Sequence, residues 1–269
     1  MDPIAKTAWY CCGIRAADAV RPRPICGDHL AARFMAGEGE AVFRRFARFR
    51  GPNASNVARH RMIDDWLRER LQTAPDLRIV LLGAGFDTRA FRLAGGRWLE
   101  LDQPALMAFK ETRLPIAEAP NPLDRVAIDF ARGSLADTLA PWAGDAPAAV
   151  VLEGVSMYLE PAALQATLDA LKRSFPRHWL VCDLMTAAFA RSWSAGLRRE
   201  IAALGGQFAA MSDDPAAAVT ASGYRELAHI SIVDRARELG ALRIPRSVLA
   251  TVLRSLRDGY RLHVFEAPA

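Results

Sequence analysis

The sequence predicts an α/β protein built on a doubly wound parallel sheet, and three observations carry that prediction. Short apolar-rich runs recur at residues 77–82, 98–101, 125–128, 148–152 and 179–182. Helix-like stretches separate them, notably 103–117 and 161–174. Several runs are continuously apolar, as strands covered on both faces require. Strand alternating with helix implies parallel pairing through right-handed crossovers.

Residues 1–74 read as a helical cap ahead of that sheet. A helix over 7–20 ends at the turn Arg21-Pro22-Arg23-Pro24, and further helices follow over 27–35, 41–50 and 56–73. Gly51-Pro52-Asn53 punctuates the start of the last one. That helix gathers Val57, Ile63, Trp66, Leu67 and Leu71 on one side. Residues 75–185 form the α/β core. Residues 186–222 are alanine-rich and read as a helical lid insertion broken at Gly205-Gly206. Residues 223–269 supply two late strands, 224–232 and 260–265, on either side of a helix over 246–256. No internal repeat or low-complexity linker divides the chain, so 1–269 is read as a single domain.

The 269 residues are 51% apolar and 24% charged, which suffices for a large core and excludes general disorder. The longest apolar runs fall far short of the roughly 20 residues that a membrane-spanning helix needs. Residues 1–10 hold Asp2 and Lys6 with no apolar h-region, so no secretory leader is expected and the expected compartment is the cytoplasm. Lys and Arg number 35 against 30 Asp and Glu, a net charge of +5 with a pI near 9.3. A pI that high raises nucleic-acid binding. The dense basic cluster, however, is Arg44, Arg45, Arg48 and Arg50 interleaved with Phe43, Phe46 and Phe49. Helical spacing there reads as an amphipathic helix with a solvated arginine face, so neither nucleic acid nor membrane is expected as a partner. Cys11, Cys12, Cys26 and Cys182 match no zinc spacing and are expected reduced and buried; no metal site is suggested.

In an open parallel sheet, ligands sit beyond the carboxyl ends of the strands. The first such end reads Gly83-Ala84-Gly85-Phe86-Asp87-Thr88-Arg89, where glycines permit close backbone approach and the following helix start offers unpaired N–H groups. A tight turn without a ligand would use the same residues. Asp102 ends the second run, nineteen residues past Gly83, near the spacing at which an acidic residue binds ribose hydroxyls. It also suits a helix N-cap before Gln103-Pro104. Asp129 and Phe130 end the third run, a carboxylate for an adenine amino group and a ring for its face. Glu153 ends the fourth, where a carboxylate beside a buried strand is costly unless partnered. Position 88 is Thr where a dinucleotide fingerprint needs its third glycine. That points away from a pyrophosphate cofactor and towards an adenosyl ligand, with S-adenosylmethionine the candidate.

The strings Leu82-Gly83-Ala84-Gly85-Phe86-Asp87-Thr88-Arg89-Ala90-Phe91-Arg92-Leu93, Glu100-Leu101-Asp102-Gln103-Pro104 and Leu152-Glu153-Gly154-Val155-Ser156-Met157-Tyr158-Leu159 resemble the leucine carboxyl methyltransferase family. Its bacterial branch includes methyltransferases of tetracenomycin-type polyketide pathways. Asp28-His29-Leu30-Ala31, Arg59-His60-Arg61-Met62-Ile63-Asp64-Asp65-Trp66-Leu67 and the closing residues 258–266 extend the resemblance over most of the chain, least over 186–222. The resemblance implies a class I, Rossmann-like methyltransferase fold: a seven-stranded, mostly parallel sheet with its last strand antiparallel. It places Gly83 beside the methionine part of S-adenosylmethionine, with Gly85 and Asp87 of the same loop as further cofactor-binding candidates. It further implies that Asp102 holds the ribose, that Asp129 and Phe130 hold the adenine, and that Glu153 meets the methionine amino group. A cap residue binds the cofactor carboxylate in that family; Arg59 and Arg15 are the candidates, with a surface arginine as the other reading of Arg15.

The expected reaction is in-line methyl transfer to a carboxylate of a small natural-product or metabolite acid, with methylation of a hydroxyl as the alternative. A carboxylate is ionised at pH 7 and needs no general base, whereas a phenol profits from one. No close His–Asp signature stands out, and His29 and His60 read as structural. Tyr158 is the candidate to face the acceptor, although a packed ring fits it too. Arg33 and Arg191 are examples of arginines that could pair an acidic acceptor. From another class, a non-catalytic adenosyl-binding or NAD-type protein stays open; oligomeric state is unreadable.

Overall fold

The computed structural model describes residues 3–130, 133–209 and 211–268. Met1 and Asp2 of the leader reading, Ala210 of the insertion and Ala269 at the end lie outside the described residues. Strands β1 (Arg78–Leu82), β2 (Arg97–Asp102), β3 (Leu123–Ala127), β4 (Ala148–Leu152), β5 (His178–Met185), β6 (Arg225–Ser231) and β7 (Tyr260–Glu266) form one sheet in the order 3-2-1-4-5-7-6. β1 to β5 are parallel, and β7 inserts antiparallel between β5 and β6. Strand order reverses between β1 and β4, so a ligand crevice belongs at the carboxyl ends there.

The cap holds α1 (Pro3–Ala19), α2 (Glu38–Phe46) and α3 (Arg50–Thr73). α4 (Arg89–Arg92), α5 (Pro104–Arg113), α6 (Leu135–Leu139) and α7 (Pro161–Ser174) lie between the parallel strands. The insertion carries α8 (Ala187–Ser192), α9 (Ala195–Ala203) and α10 (Pro215–Ala221). Between β6 and β7 come α11 (Ile232–Glu238), α12 (Arg246–Ala250) and α13 (Arg254–Asp258). Alternate strand residues supply the two faces. Ile79, Leu81, Ala149 and Val151 pack with α3 and α11, whereas Val80, Leu82, Val150 and Leu152 pack with α7. Each such Val, Leu or Ile side chain contributes about 1.5–3 kcal/mol by leaving water.

Several elements differ from expectation for identifiable reasons. The predicted helix over 27–35 is a 3-10 turn, His29–Phe34, capped by the Asp28 side chain accepting from Ala31 N–H. α3 begins at Arg50 and runs through Gly51-Pro52-Asn53, because a proline in the first turn removes an N–H that has no helical partner anyway. The helix over 103–117 stops at Arg113, since Pro115 pushes Leu114 towards extended backbone. α11 went unread because its first residue was absorbed into the predicted strand 224–232; Ser231 caps it by accepting from Asp234 N–H. The helix over 246–256 is two short ones. The basic cluster is exposed but is not one helix, since α2 ends at Phe46, Arg48 lies in the turn that follows and Arg50 opens α3; Arg45 (3.0 Å) and Arg48 pair with Glu200 of α9, tying cap to insertion. Cys12, Cys26 and Cys182 are buried, Cys11 half-buried, and all four are free. Among the described residues no helix is long and apolar enough to cross a membrane.

Candidate functional site

All ten residues singled out in the sequence line one cavity of about 720 Å³ at the carboxyl ends of β1 to β4: Arg15, Arg59, Gly83, Gly85, Asp87, Asp102, Asp129, Phe130, Glu153 and Tyr158. That volume is in the range of small-molecule sites. The glycine loop after β1 forms its floor. Gly83 has φ +67°, and a Cβ there would lie 2.4 Å from Val155 Cγ2, so no larger residue fits the crossing. Phe86 stacks on Phe34 of the cap at 4.7 Å between centroids, which docks the cap over the loop.

Asp102 closes β2 and works as a loop anchor. Its Oδ2 accepts from Gly85 N–H (2.7 Å) and its Oδ1 from Gln103 N–H (2.7 Å). Burial raises its pKa, against those two backbone donors. The helix cap is Gln103, so the N-cap reading of Asp102 does not hold. The helix start after the loop is also different from expectation: α4 has four residues, and Arg89 N–H is already taken by Asp87 Oδ1 at 2.7 Å. Thr88, standing where a third glycine would be, donates to Asp28 Oδ1 of the cap (2.7 Å). Asp129 and Phe130 follow β3 and are exposed at the cavity rim.

Beneath the loop lies an ion-pair network that the sequence did not reveal. Glu153 Oε1 accepts from Arg59 Nε (3.0 Å), and its Oε2 lies 2.8 Å from Arg89 Nη1 and 3.3 Å from His60 Nδ1. Burial alone would raise the Glu153 pKa; Arg89, His60 and Arg59 outweigh it and hold the carboxyl well below the ordinary range. Asp64, wholly buried on α3, takes Arg89 Nε (2.6 Å) and Arg92 Nη1 (2.8 Å). Asp183 on β5 accepts from Arg59 Nη1 (2.9 Å), Tyr260 Oη (2.7 Å) and Gly154 N–H (2.6 Å). Arg15 is not a surface arginine. It is buried, donating to Asp28 Oδ2 (2.9 Å) and the Phe86 carbonyl (2.6 Å). Arg15, Arg59, Arg89 and Arg92, with Arg68 at its edge, face Asp28, Asp64, Asp87, Glu153 and Asp183, so the charges of this cluster balance. Burial lowers the His60 pKa, with Arg89 adding to it and Asp64 and Glu153 opposing it.

A second cavity of about 210 Å³ adjoins the first and is roofed by α8 and α9. Thr7, Cys11, Arg59, Gly154 and Tyr158 line both. Tyr158 packs edge-on against Phe208 at 5.2 Å, and burial raises its phenol pKa, so it keeps its proton. α10 lies elsewhere, against α7 and β5, so only the first part of the insertion roofs the site. Arg33 and Arg191 line neither cavity; they pair with Glu118 (2.5 Å) and loosely with Asp213 (3.9 Å). Outside both cavity linings, on β6 and β7 near a bulge in β6, Glu226 lies beside His229 and His263, a cluster with metal-ligand chemistry that no sequence spacing predicts.

The sequence profile of the leucine carboxyl methyltransferase family matches residues 8–172. The chain is similar to proteins provisionally named S-adenosyl-L-methionine-dependent methyltransferases. In Parafrankia sp. (strain EAN1pec) one is 32% identical over 190 residues, covering 63% of this chain and 59% of that one. In Streptomyces coelicolor another is 31% identical over 202 residues, covering 63% and 62%. The chain thus spans about three-fifths of the length of these two relatives. One from Mycolicibacterium gilvum is 35% identical over 217 residues, covering 72% and 71%. Among solved structures, a DUF574 family protein from Streptomyces avermitilis has a TM-score of 0.62 at 14% identity, covering 96% of this chain and 97% of its own. A protein of Thermobifida fusca, provisionally named a methyltransferase, has 0.59 at 13% identity, covering 93% and 100%. At those identities the likeness concerns the fold alone. With its profile match over more than half its length, the chain belongs to the leucine carboxyl methyltransferase family.

Proposed function

We propose that the protein is an S-adenosylmethionine-dependent methyltransferase acting on an oxygen of a small acceptor, with a carboxylate as the methylated group. One observation carries this reading: the ends of β1, β2, β3 and β4 converge on one cavity whose neighbour is a separate, roofed, apolar chamber. The residues present fit the cofactor. Asp102 suits ribose hydroxyls, Asp129 and Phe130 suit adenine, and Gly83 with Glu153 suits the methionine amino end. Arg59, whose Nη2 has Gly154 rather than a side chain against it, suits the carboxylate. Thr88 tied to Asp28 fills the place where a pyrophosphate-binding turn needs a glycine.

S-adenosylmethionine, when bound, supplies a methyl group activated by a positive sulfur. The chain's own task is to present an acceptor oxygen in line with it at about 3–3.5 Å and to exclude water. The wall shared by the two cavities is where that meeting belongs. Tyr158 there retains its proton and can donate a hydrogen bond to the acceptor, and Arg59 stays charged. Neither is a base, which favours a nucleophile that arrives ionised, as a carboxylate does at pH 7. Titration calorimetry with S-adenosylhomocysteine and with NAD tests the reading. Saturable heat with the former alone is expected; binding of NAD without S-adenosylhomocysteine would end it.

A further inference from the structure

We infer that the second cavity holds the body of the acceptor, and that this body is compact, apolar and uncharged, about the size of one substituted ring. The inference rests on the proposed methyl transfer and adds the class of acceptor. Size comes first. A cavity of about 150 Å³ lined by aliphatic and aromatic residues suffices for benzene, and this one measures about 210 Å³. A single ring with small substituents fills it, and a fused polycycle does not. Its polarity is equally selective. Met157, Met185, Phe189, Leu197, Ile201 and Phe208 make up much of its lining. Arg59 is its one charged lining residue among those described, and Arg59 is held by Glu153 and Asp183 at the wall shared with the cofactor cavity. A second charged group on the acceptor would therefore be dehydrated without a partner. The reacting carboxylate avoids that cost by lying at the shared wall, beside Arg59 and Tyr158.

The test uses the full chain saturated with S-adenosylhomocysteine, itself first titrated to establish the cofactor site. Benzoate, 3-hydroxybenzoate, terephthalate and anthracene-2-carboxylate are then titrated in turn. Benzoate and 3-hydroxybenzoate are expected to bind. Terephthalate, with a second carboxylate, should bind at least 100-fold more weakly, and the tricyclic acid should give no heat. Leu197→Trp, which fills the chamber from α9, should weaken benzoate at least tenfold and leave S-adenosylhomocysteine affinity within twofold. Terephthalate or the tricyclic acid binding as well as benzoate, or an unaffected Leu197→Trp variant, would overturn the inference while leaving the cofactor reading intact. Failure of S-adenosylhomocysteine to bind would bring down both.

Discussion

Replacing Asp183 by Ala removes three acceptor contacts at once, from Arg59, Tyr260 and the Gly154 backbone. Asp183 is fully buried, and Arg59 has only 5% of its surface exposed. Breaking a buried charge pair by removing one partner costs about 3–5 kcal/mol, because the remaining charge is left dehydrated. Glu153 still holds the other side of Arg59, which keeps the cost inside that range. At about 2–4 °C per kcal/mol for a domain of nearly this size, the melting temperature should fall by about 6–20 °C. Differential scanning calorimetry of wild type, Asp183→Ala and Asp183→Asn measures it, the amide retaining shape and losing charge. A fall under 2 °C for Asp183→Ala would mean that the network beneath the loop contributes little, and the packing argument for the site would fail.

Asp102→Ala should weaken S-adenosylhomocysteine by about 1.5–3 kcal/mol from lost charge-assisted bonds, read by calorimetry; an unchanged dissociation constant would remove Asp102 from the ribose. Acid sensitivity has a definite sign. Burial alone would raise the Asp28 pKa, but Arg15 and Arg92 outweigh it and lower it from 3.8 to about 2. Its stabilisation is therefore complete above about pH 4 and lost as pH falls through about 2, worth about 2.5 kcal/mol. Urea unfolding at pH 6 and pH 2.5 should show Asp28→Asn losing about 1.5 kcal/mol less than wild type between the two pH values, and an equal loss in the variant would refute it. Cys12 and Cys26 are buried, their thiols pushed up to about 12, chiefly by burial, so alkylation of the native protein should be confined to Cys11. Mass spectrometry should show S-adenosylhomocysteine protecting Cys11, which lines both cavities; equal labelling with and without it would count against the shared wall.

Local chemistry made part of this molecule legible. β4 and α7 have the bounds expected of them, because Ala148–Leu152 is apolar throughout and Pro161 marks a helix start. The strand-end residues were legible for the same reason, each lying directly after a recognisable strand or within the loop that follows. Long-range pairing was not legible. Arg59 meets Asp183 across 124 positions and Tyr260 across 201, with no spacing rule to link them. Asp64 and His60 looked like ordinary helix residues, and only the docking of α3 beneath the loop shows why they are buried. Arg15 could not be told from a surface arginine without knowing that Asp28 faces it. The second cavity is the least local feature of all, assembled from α1, α3, α8, α9 and the segment before β7.

A crystal structure with S-adenosylhomocysteine bound would show where the adenosine lies. Ribose hydroxyls are expected within hydrogen-bond distance of the Asp102 carboxylate, adenine between Asp129 and Phe130, and sulfur facing the wall formed by Tyr158 and Arg59. A ligand lodged outside this cavity, or one lying with its adenine at that wall, would contradict that placement.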